Sequence, residues 1–244
     1  MINVKKKMLA LLVCALGACA LVFCLAGCGN SGSSSSGSSS GSSSSSSKSS
    51  SSTSSNVKSS AEGQYASGTH HATVTVKGYD PFTITLDADA APVTVSNFCE
   101  LANQGFYNGK TFYRFVQGFC MQGGSTGNSA SIVDDGLTPI VGEFSANSKT
   151  NALADDFKKG TVAMARSSDK DSATSTFFVT LSSDETTKSA LDGKYAAFGT
   201  IDEAGMAVVD KIVEAYLPNV DDSSSGAISD ESKQAKITGI VVDD

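Results

Sequence analysis

Arg114 is the residue with the clearest capacity for chemistry in this sequence of 244 residues. It lies in an aromatic-rich stretch that alternates as a strand does, and its neighbours on the same face are Phe112 and Val116. A guanidinium in such surroundings keeps its charge and can donate up to five hydrogen bonds. We therefore expect a fixed cation that emerges among apolar groups and faces water or a substrate.

Glycines beyond this stretch indicate that the chain folds back toward Arg114. Gly118 permits a sharp turn, after which a second strand would bring Phe119 and Gln122 close to the guanidinium. The result would be an apolar surface that carries one cation and one amide. The alternative is that Arg114 pairs with a buried carboxylate, such as that of Glu143, and serves packing only. Composition alone leaves both interpretations open.

The remaining histidines and cysteines do not predict a metal site. His70 and His71 are adjacent in a probable strand, so their side chains point to opposite faces and are expected to be polar surface groups. Only Cys99 and Cys120 fall in the part of the chain that should fold, and no Cys/His spacing suggests zinc. We expect both to be buried thiols rather than a disulfide.

Alternating and helical patterns predict the elements that position these residues. The segments of strand pattern and strand length are 70–76, 82–86, 111–116, 160–165, 176–181, 196–201 and 236–242. Two segments have helical periodicity, 94–104 and 205–216. Many short strands with few helices predict a mainly β fold, a barrel with two helices covering its ends.

Residues 1–28 have the pattern of an export signal. Three lysines precede an uncharged stretch of 20 residues, 8–27. Its last residues, Leu25-Ala26-Gly27-Cys28, resemble a bacterial lipobox, which implies that Cys28 carries a diacylglycerol whose two acyl chains hold the protein on the membrane. An uncleaved membrane-spanning anchor is the alternative. Either way the folded part is expected outside the cytoplasmic membrane.

The segment 29–65 is predicted to be a disordered tether. Of residues 29–60, 22 are serine and 4 are glycine, which leaves too little apolar surface to offset the entropy of ordering. A flexible chain of this length reaches about 30 Å. Residues 66–244 then form a single folded domain.

The charge excludes some partners. The formal charge is −7, and without the three N-terminal lysines 15 basic residues stand against 25 acidic ones, a net charge of −10. An acidic body with no basic stripe argues against binding to nucleic acid and against electrostatic docking on anionic lipid.

A series of motifs resembles those of the cyclophilin-type peptidyl-prolyl cis-trans isomerases. The segment 112–124 is similar to the family pattern Phe-x-Arg-x-x-x-Gly-Phe-x-x-Gln-Gly-Gly. Other resemblances follow in the family's order over residues 70–242: Asn97-Phe98 with Leu101, Gly142-Glu143-Phe144, the Met-Ala-Arg strand 160–166, Phe177-Phe178-Val179, and the Leu-Asp-Gly segment 191–199. The resemblance implies a closed eight-stranded antiparallel barrel capped by two α-helices.

The resemblance also implies an activity and a set of site residues. The reaction is rotation about an X–Pro bond, and it needs no cofactor or metal. With the predicted export signal, the substrates would be exported proteins that are folding. The protein is expected to be monomeric. The catalytic residues would be Arg114, Phe119 and Gln122. The substrate-binding residues would be Cys120, Met121, Ala165, Arg166, Thr176, Phe178, Leu191 and Tyr195, with Arg166 acting through its backbone groups.

The sequence departs from the family pattern at the edge of this site. Cys120 stands where well-known members have Met, Thr176 where they have Gln, and Tyr195 where they have His. Ala190 replaces a Trp, which implies weak cyclosporin binding, and Ser125 replaces an Asp. These changes keep a second hypothesis open, a chaperone-like module that binds proline segments with little turnover. A solute-binding or adhesive lipoprotein, unrelated to proline, is a third hypothesis for the class of protein.

Overall fold

Eight antiparallel strands close into a barrel in the computed structural model, which describes residues 56–129 and 136–243. The order around the barrel is β1-β2-β7-β5-β6-β4-β3-β8. The strands are β1 (Thr69–Val76), β2 (Phe82–Asp87), β3 (Thr111–Val116), β4 (Cys120–Gly123), β5 (Thr161–Met164), β6 (Phe177–Thr180), β7 (Ala197–Ile201) and β8 (Ala235–Asp243). The closed eight-stranded antiparallel barrel expected from the sequence is confirmed.

Residue alternation explains why these segments become strands. In β2, Phe82, Ile84 and Leu86 are buried, whereas Thr83 and Thr85 between them are exposed. Side chains that alternate in this way give each strand one face for the interior and one face for the outside. Closure of the sheet then pairs the backbone groups that an open sheet would leave unpaired at its edges.

The described residues contain three α-helices beside the barrel, one more than the sequence predicted. They are α1 (Pro92–Asn103), α2 (Glu185–Leu191) and α3 (Glu203–Tyr216). The prediction of two helices is therefore incomplete, because α2 has only seven residues and two threonines in its first turn that weaken its helical pattern. The Asp184 carboxylate accepts a hydrogen bond from Thr187 N and so caps the start of α2.

Helix α1 begins without a cap from its own chain segment. Ala91 stands at the cap position, and the carboxylate of Glu143 instead accepts hydrogen bonds from Val93 N (3.1 Å), Thr94 N (2.8 Å) and Thr94 Oγ1 (2.7 Å). Glu143 is buried, so a residue distant in sequence satisfies backbone groups that would otherwise lack partners. This contact ties the 142–144 turn to the first turn of α1.

Buried apolar side chains form two separate clusters. The larger cluster fills the barrel interior and receives side chains from all eight strands and from α1 and α3. The smaller one, which we call the outer apolar cluster, lies on the outer face of strands β4, β5, β6 and β7. Its buried members are Cys120, Phe144, Ala154, Phe157, Ala163, Phe178, Leu191, Ala196 and Ala197. An apolar cluster outside the core of a barrel is a natural floor for a binding site.

Residues 56–66, which we call the strap, lie against the body although the sequence assigned most of them to the tether. Lys58 N donates to Pro139 O (2.8 Å), and Val141 N donates to Lys58 O (3.0 Å). Tyr65 packs against the interior cluster and accepts a hydrogen bond from Ser96 Oγ at its carbonyl. The folded body therefore begins by residue 56 rather than at residue 66.

We expect removal of the strap to destabilise the barrel. A chain that starts at residue 66 should have a free energy of unfolding roughly 1–3 kcal/mol lower than one that starts at residue 56, because several hydrogen bonds and the packing of Tyr65 are lost. Urea unfolding of both chains measures the difference. Lys58→Ala in the longer chain is the control, since its half-exposed ion pair with Glu100 should contribute less than about 1 kcal/mol. Equal stability of the two chains would contradict this assignment.

The predicted signal 1–28, with Cys28, and the tether up to residue 55 lie outside the described residues. Within the described ranges, none of the helices combines the length and the apolar character needed to cross a bilayer. His71 is exposed as expected, whereas His70 is half-buried beside the ring of Tyr65.

Candidate active site

Cross-strand pairing brings the predicted site residues into one row on the outer face of the barrel. Arg114 on β3 pairs with Gln122 on β4, Gln122 pairs with Phe178 on β6, and Phe178 pairs with Ala163 on β5. Ala163 in turn pairs with Ala197 on β7. Because directly paired residues of neighbouring strands have their side chains on the same face, this site row runs from a cation through an amide to an apolar floor.

The Arg114 guanidinium is held by three acceptors, none of which is a carboxylate. Its Nε donates to Ser225 O (2.6 Å), and its Nη1 donates to Cys120 Sγ (3.0 Å) and Gln122 Oε1 (3.1 Å). The Nη2 group has no hydrogen-bond partner among the described residues, and the side chain is half-buried. A cation fixed on one side thus keeps two N–H donors for a ligand.

The alternative interpretation of Arg114 as a packing residue paired with Glu143 is wrong. The carboxylate of Glu143 faces the first turn of α1 and binds Val93 and Thr94. No carboxylate of the described residues forms an ion pair with Arg114. The charge of the guanidinium is therefore not neutralised within the described part of the body.

Gln122 is oriented by a partner that the sequence did not reveal. Its Oε1 accepts from Arg114, and its Nε2 donates to the hydroxyl of Tyr113 (3.1 Å), which is 2% exposed. The amide is thus held at both ends. Tyr113 could have been suspected only from its place beside Arg114 in the strand, since a register shift in β3 decides which way it points.

The apolar end of the site is built from rings on three different segments. Phe178 is stacked on Phe157 with ring centroids 6.3 Å apart and meets the edge of Tyr195 at 5.6 Å. Leu191, from the end of α2, and the half-buried Phe119 belong to the same outer apolar cluster. Phe119 follows Gly118, whose φ of 68° lets the chain turn back between β3 and β4.

Met121 does not join the site, contrary to its predicted role in substrate binding. It is 0% exposed and belongs to the interior cluster, whereas its neighbours Cys120 and Gln122 face the outside. Strand alternation makes this separation unavoidable, because successive side chains of β4 point to opposite faces.

Ala165 and Thr176 lie at the edge of the site, where their backbones are joined by a hydrogen bond from Ala165 N to Thr176 O (2.8 Å). Both side chains are half-buried, and Ala165 packs against the outer apolar cluster. Thr176 has the same strand parity as Phe178, so it extends the apolar end of the row with a short polar group.

The side chain of Arg166 shapes the site, and the predicted contact of its backbone with a peptide stays a prediction. Its Nε and Nη2 both donate to Lys194 O (3.0 and 2.9 Å), and its guanidinium lies over the rings of Phe144 (5.2 Å) and Tyr195 (4.8 Å). Cation–π contacts of this kind add to the fixation of the Tyr195 ring. The two arginines of the chain are thus both at this face.

Cys120 lies beneath the guanidinium as a buried thiol that forms no disulfide with Cys99. Burial raises the pKa of the Cys120 thiol from about 9 to about 11, and the charge and hydrogen bond of Arg114 offset this only in part. At neutral pH the sulfur is therefore an uncharged acceptor. The described residues contain no cluster of three or more His, Cys, Asp or Glu side chains suited to a metal ion.

The raised pKa of Cys120 predicts a loss of stability in alkaline solution. Below pH 9 the thiol is protonated in both the folded and the unfolded chain; between about pH 9 and pH 11 the unfolded chain releases the proton first, so the free energy of unfolding falls. Denaturant unfolding at pH 8 and pH 10.5 should show a smaller decrease for Cys120→Ala than for the unsubstituted protein. An identical decrease in both would contradict the burial of this thiol.

Comparison with known proteins identifies related sequences and structures. A profile of the family described as cyclophilin type peptidyl-prolyl cis-trans isomerase/CLD matches residues 71–240. The chain is 39% identical over 138 residues to peptidyl-prolyl cis-trans isomerase A of Dickeya dadantii, a match that covers 56% of this chain and 68% of the relative. It is 36% identical over 152 residues to a peptidyl-prolyl cis-trans isomerase of Acinetobacter baylyi, covering 62% and 73%.

The fold is similar to that of a crystal structure of a Cryptosporidium parvum cyclophilin-type peptidyl-prolyl cis-trans isomerase. The TM-score is 0.55 at 21% sequence identity, and the superposition covers 72% of this chain and 99% of the other. This likeness concerns the barrel architecture.

Proposed function

The chain belongs to the cyclophilin-type peptidyl-prolyl cis-trans isomerase family, and we propose that it isomerises X–Pro bonds of exported proteins with Arg114 as the catalytic cation. The observation that carries the site assignment is the guanidinium of Arg114, which has three acceptors on one side and two N–H donors without a partner among the described residues. The row of paired strand residues leads from Arg114 through Gln122 to Phe178 of the outer apolar cluster.

The reaction defines what the site must do. Rotation about an X–Pro bond is slow because resonance gives the C–N bond partial double-bond character, with a barrier of about 18–20 kcal/mol. No bond to the enzyme and no cofactor is needed for this rotation. The site must weaken the resonance and bind the twisted state more strongly than either planar state.

Arg114 would supply that preference through its Nη2 donors. In the proposed mechanism they bind the carbonyl oxygen of the prolyl residue and point toward the imide nitrogen. As the bond twists, the nitrogen becomes pyramidal and a better acceptor, so the hydrogen bond strengthens in the transition state. The bonds from Nε and Nη1 to Ser225, Cys120 and Gln122 keep the guanidinium from turning away.

The outer apolar cluster would hold the proline ring. Phe178 and Leu191 form its buried floor, and the half-buried Phe119 and Tyr195 pack on this floor and would contact the ring. Gln122, whose amide is fixed by Arg114 and Tyr113, would bind the substrate backbone. Ala165 and Thr176 extend this surface along the peptide.

The place of action outside the cytoplasmic membrane is the second part of the proposal. Residues 1–28 support it, because a lysine-rich start and an uncharged stretch end at Cys28 in a lipobox-like sequence. With the body beginning by residue 56, a tether of residues 29–55 would still reach about 30 Å from the membrane. Unfolded exported chains would then meet the enzyme close to where they emerge.

Fractionation of cells tests the anchoring. The unsubstituted protein should be recovered with membranes and incorporate labelled palmitate, whereas Cys28→Ala should lose the label. Cys24→Ala is the matched control, since this cysteine lies in the same segment without the lipobox-like position. Recovery of both label and membrane association in Cys28→Ala would contradict lipidation at Cys28.

An exchange experiment tests turnover. Catalytic amounts of the protein should accelerate cis-trans exchange of an Ala-Ala-Pro-Phe peptide, seen as NMR exchange broadening and in a protease-coupled assay. Binding of the peptide without faster exchange would favour the hypothesis of a low-turnover module, to which Thr176 and Cys120 point.

A further inference from the structure

We propose that Asp222 is a positioning residue for catalysis, because it fixes the turn whose Ser225 carbonyl binds the Nε of Arg114. The inference rests on the proposed role of Arg114. It concerns a loop 111 residues away in sequence, for which no motif of the chain indicated a function.

The segment 221–228, which we call the arginine-holding turn, is attached to β3 by its backbone. Phe115 N donates to Gly226 O (2.8 Å), and Ile228 N donates to Tyr113 O (2.8 Å). Arg114 itself forms an antiparallel bridge with Ala227. The turn therefore continues along β3 beyond the two residues that pair with β8, and it lies directly beside the catalytic arginine.

The carboxylate of Asp222 closes this turn from within. Its Oδ1 accepts from Ser224 N (3.0 Å) and Ser224 Oγ (2.6 Å), and its Oδ2 accepts from Ser225 Oγ (2.6 Å). The Asp222 carbonyl also accepts from Gly226 N (2.8 Å). These bonds span the residues on both sides of the Ser225 peptide group, so they set the direction of its carbonyl.

The charge of Asp222 is present throughout the working pH range. The hydrogen bonds from the Ser224 and Ser225 side chains lower the pKa of the Asp222 carboxyl to about 2. Protonation will not loosen the turn at any pH at which the enzyme is used.

The fit at Gly226 leaves the turn little room to move. The φ of Gly226 is 79°, and a Cβ at this position would lie 2.6 Å from Val116 Cγ2 and 2.7 Å from Phe115 O. The turn is thus pressed against the strand that carries Arg114. Of the three bonds that orient the guanidinium, the one from Nε to Ser225 O is the shortest, at 2.6 Å.

Asp222→Ala should therefore disturb Arg114 while the barrel stays folded. We expect kcat to fall about 10-fold with KM within about twofold, because a small displacement of a catalytic group costs rate more than binding. Asp222→Asn keeps an acceptor oxygen for the serines and should recover most of the rate. Ser224→Ala combined with Ser225→Ala removes the two hydroxyl donors, keeps the carboxylate and the backbone donor of residue 224, and should also lower kcat.

Asp230→Ala is the matched control. Asp230 accepts the same kind of bonds from Ser232 N and Ser232 Oγ in a neighbouring turn, but it has no contact with Arg114. It should leave kcat at the level of the unsubstituted protein.

A spectroscopic signature separates positioning from a general structural effect. The chain contains two arginines, so protein labelled with ¹⁵N-arginine has two Nε–H signals, of which Arg166 serves as an internal reference because its Nε donates to Lys194 O. Asp222→Ala should speed solvent exchange of the Arg114 Nε–H and leave that of Arg166 unchanged. Exchange and kcat equal to those of Asp230→Ala would overturn the proposal.

Two variants separate the positioning role of Asp222 from the catalytic role of Arg114 on which it depends. If Arg114→Ala retains full activity, the catalytic role of Arg114 fails and the positioning role fails with it. If Arg114→Ala is inactive but Asp222→Ala changes neither the Arg114 signal nor kcat, only the role of Asp222 is wrong.

Discussion

Arg114→Ala is expected to lower kcat/KM by roughly 10²–10³-fold, about 3–4 kcal/mol of transition-state stabilisation, which is the loss found when one preorganised donor is removed. The variant removes the Nη2 donors, which have no partner among the described residues, together with the charge that Ser225, Cys120 and Gln122 hold in place. The assay is the accelerated isomerisation of a proline peptide measured at substrate concentrations below KM. The apolar floor stays in place, so peptide affinity should change less than the rate.

Two variants serve as references for this result. Arg114→Lys keeps the positive charge but loses the planar fork that bonds several acceptors at once, and it should recover only a small part of the activity. Arg166→Ala removes the other arginine, which contacts Phe144 and Tyr195 but not the ligand-facing donors, and should cost less than Arg114→Ala. A folded Arg114→Ala with activity near that of the unsubstituted protein would refute the catalytic assignment.

Glu143→Ala is expected to reduce the free energy of unfolding by roughly 2–4 kcal/mol, since it leaves the buried donors at the start of α1 without a partner. For a domain of this size the corresponding fall in Tm is roughly 5–15 °C. Differential scanning calorimetry and urea unfolding measure both quantities. Ala91 at the cap position has no side-chain acceptor, and within the described residues Glu143 supplies the side-chain cap of α1.

The chain offers a control for Glu143 on the same helix. Glu100 in α1 is exposed and paired with Lys58, so Glu100→Ala should cost less than about 1 kcal/mol. Glu143→Gln retains one acceptor oxygen and should lie between the two. A Glu143→Ala variant as stable as Glu100→Ala would show that the hydrogen bonds of Glu143 contribute little.

The strands were predictable because their pattern depends on neighbours in sequence. The bounds of β3 agree with the prediction residue for residue, and β2 and β7 agree within one residue at each end. One buried face per strand produces a period of two, and nothing distant is needed to recognise it. The missed helix α2 is different, since these seven residues, with two threonines in the first turn, are held as a helix by the Asp184 cap and by the packing of Leu191 in the outer apolar cluster.

The kinds of side chain in the site were predictable from the sequence, but the contacts that hold Arg114 in place were not. The turn after Gly118 and the amide of Gln122 follow from residue types close to Arg114, which is why the chain could be expected to bring them together. Ser225 supplies a backbone carbonyl, and any residue type has one, so no sequence signal marks it. The resemblance implied a substrate contact for Met121, but strand alternation places this residue in the interior cluster.

The strap shows the limit of composition as a guide to order. Residues 56–65 follow a serine-rich segment and include few apolar side chains, yet Val57, Ala61 and Tyr65 pack against the interior cluster. The strap is held in place by backbone hydrogen bonds from Lys58 to Pro139 and from Val141 to Lys58, and these partners lie about 80 residues further along the chain. A window of local sequence does not contain that information.

The residues that hold Arg114 in place are far apart in the sequence. This separation affects the stage of folding at which the enzyme becomes active. Synthesis proceeds from the N-terminus, and β3 emerges long before Ser225 and before β8, its partner in the ring. A chain in which Ser225 and β8 have not yet joined the fold has the arginine but neither a closed ring nor the carbonyl that aims it. We therefore expect catalytic competence to appear only after these late segments have docked on β3.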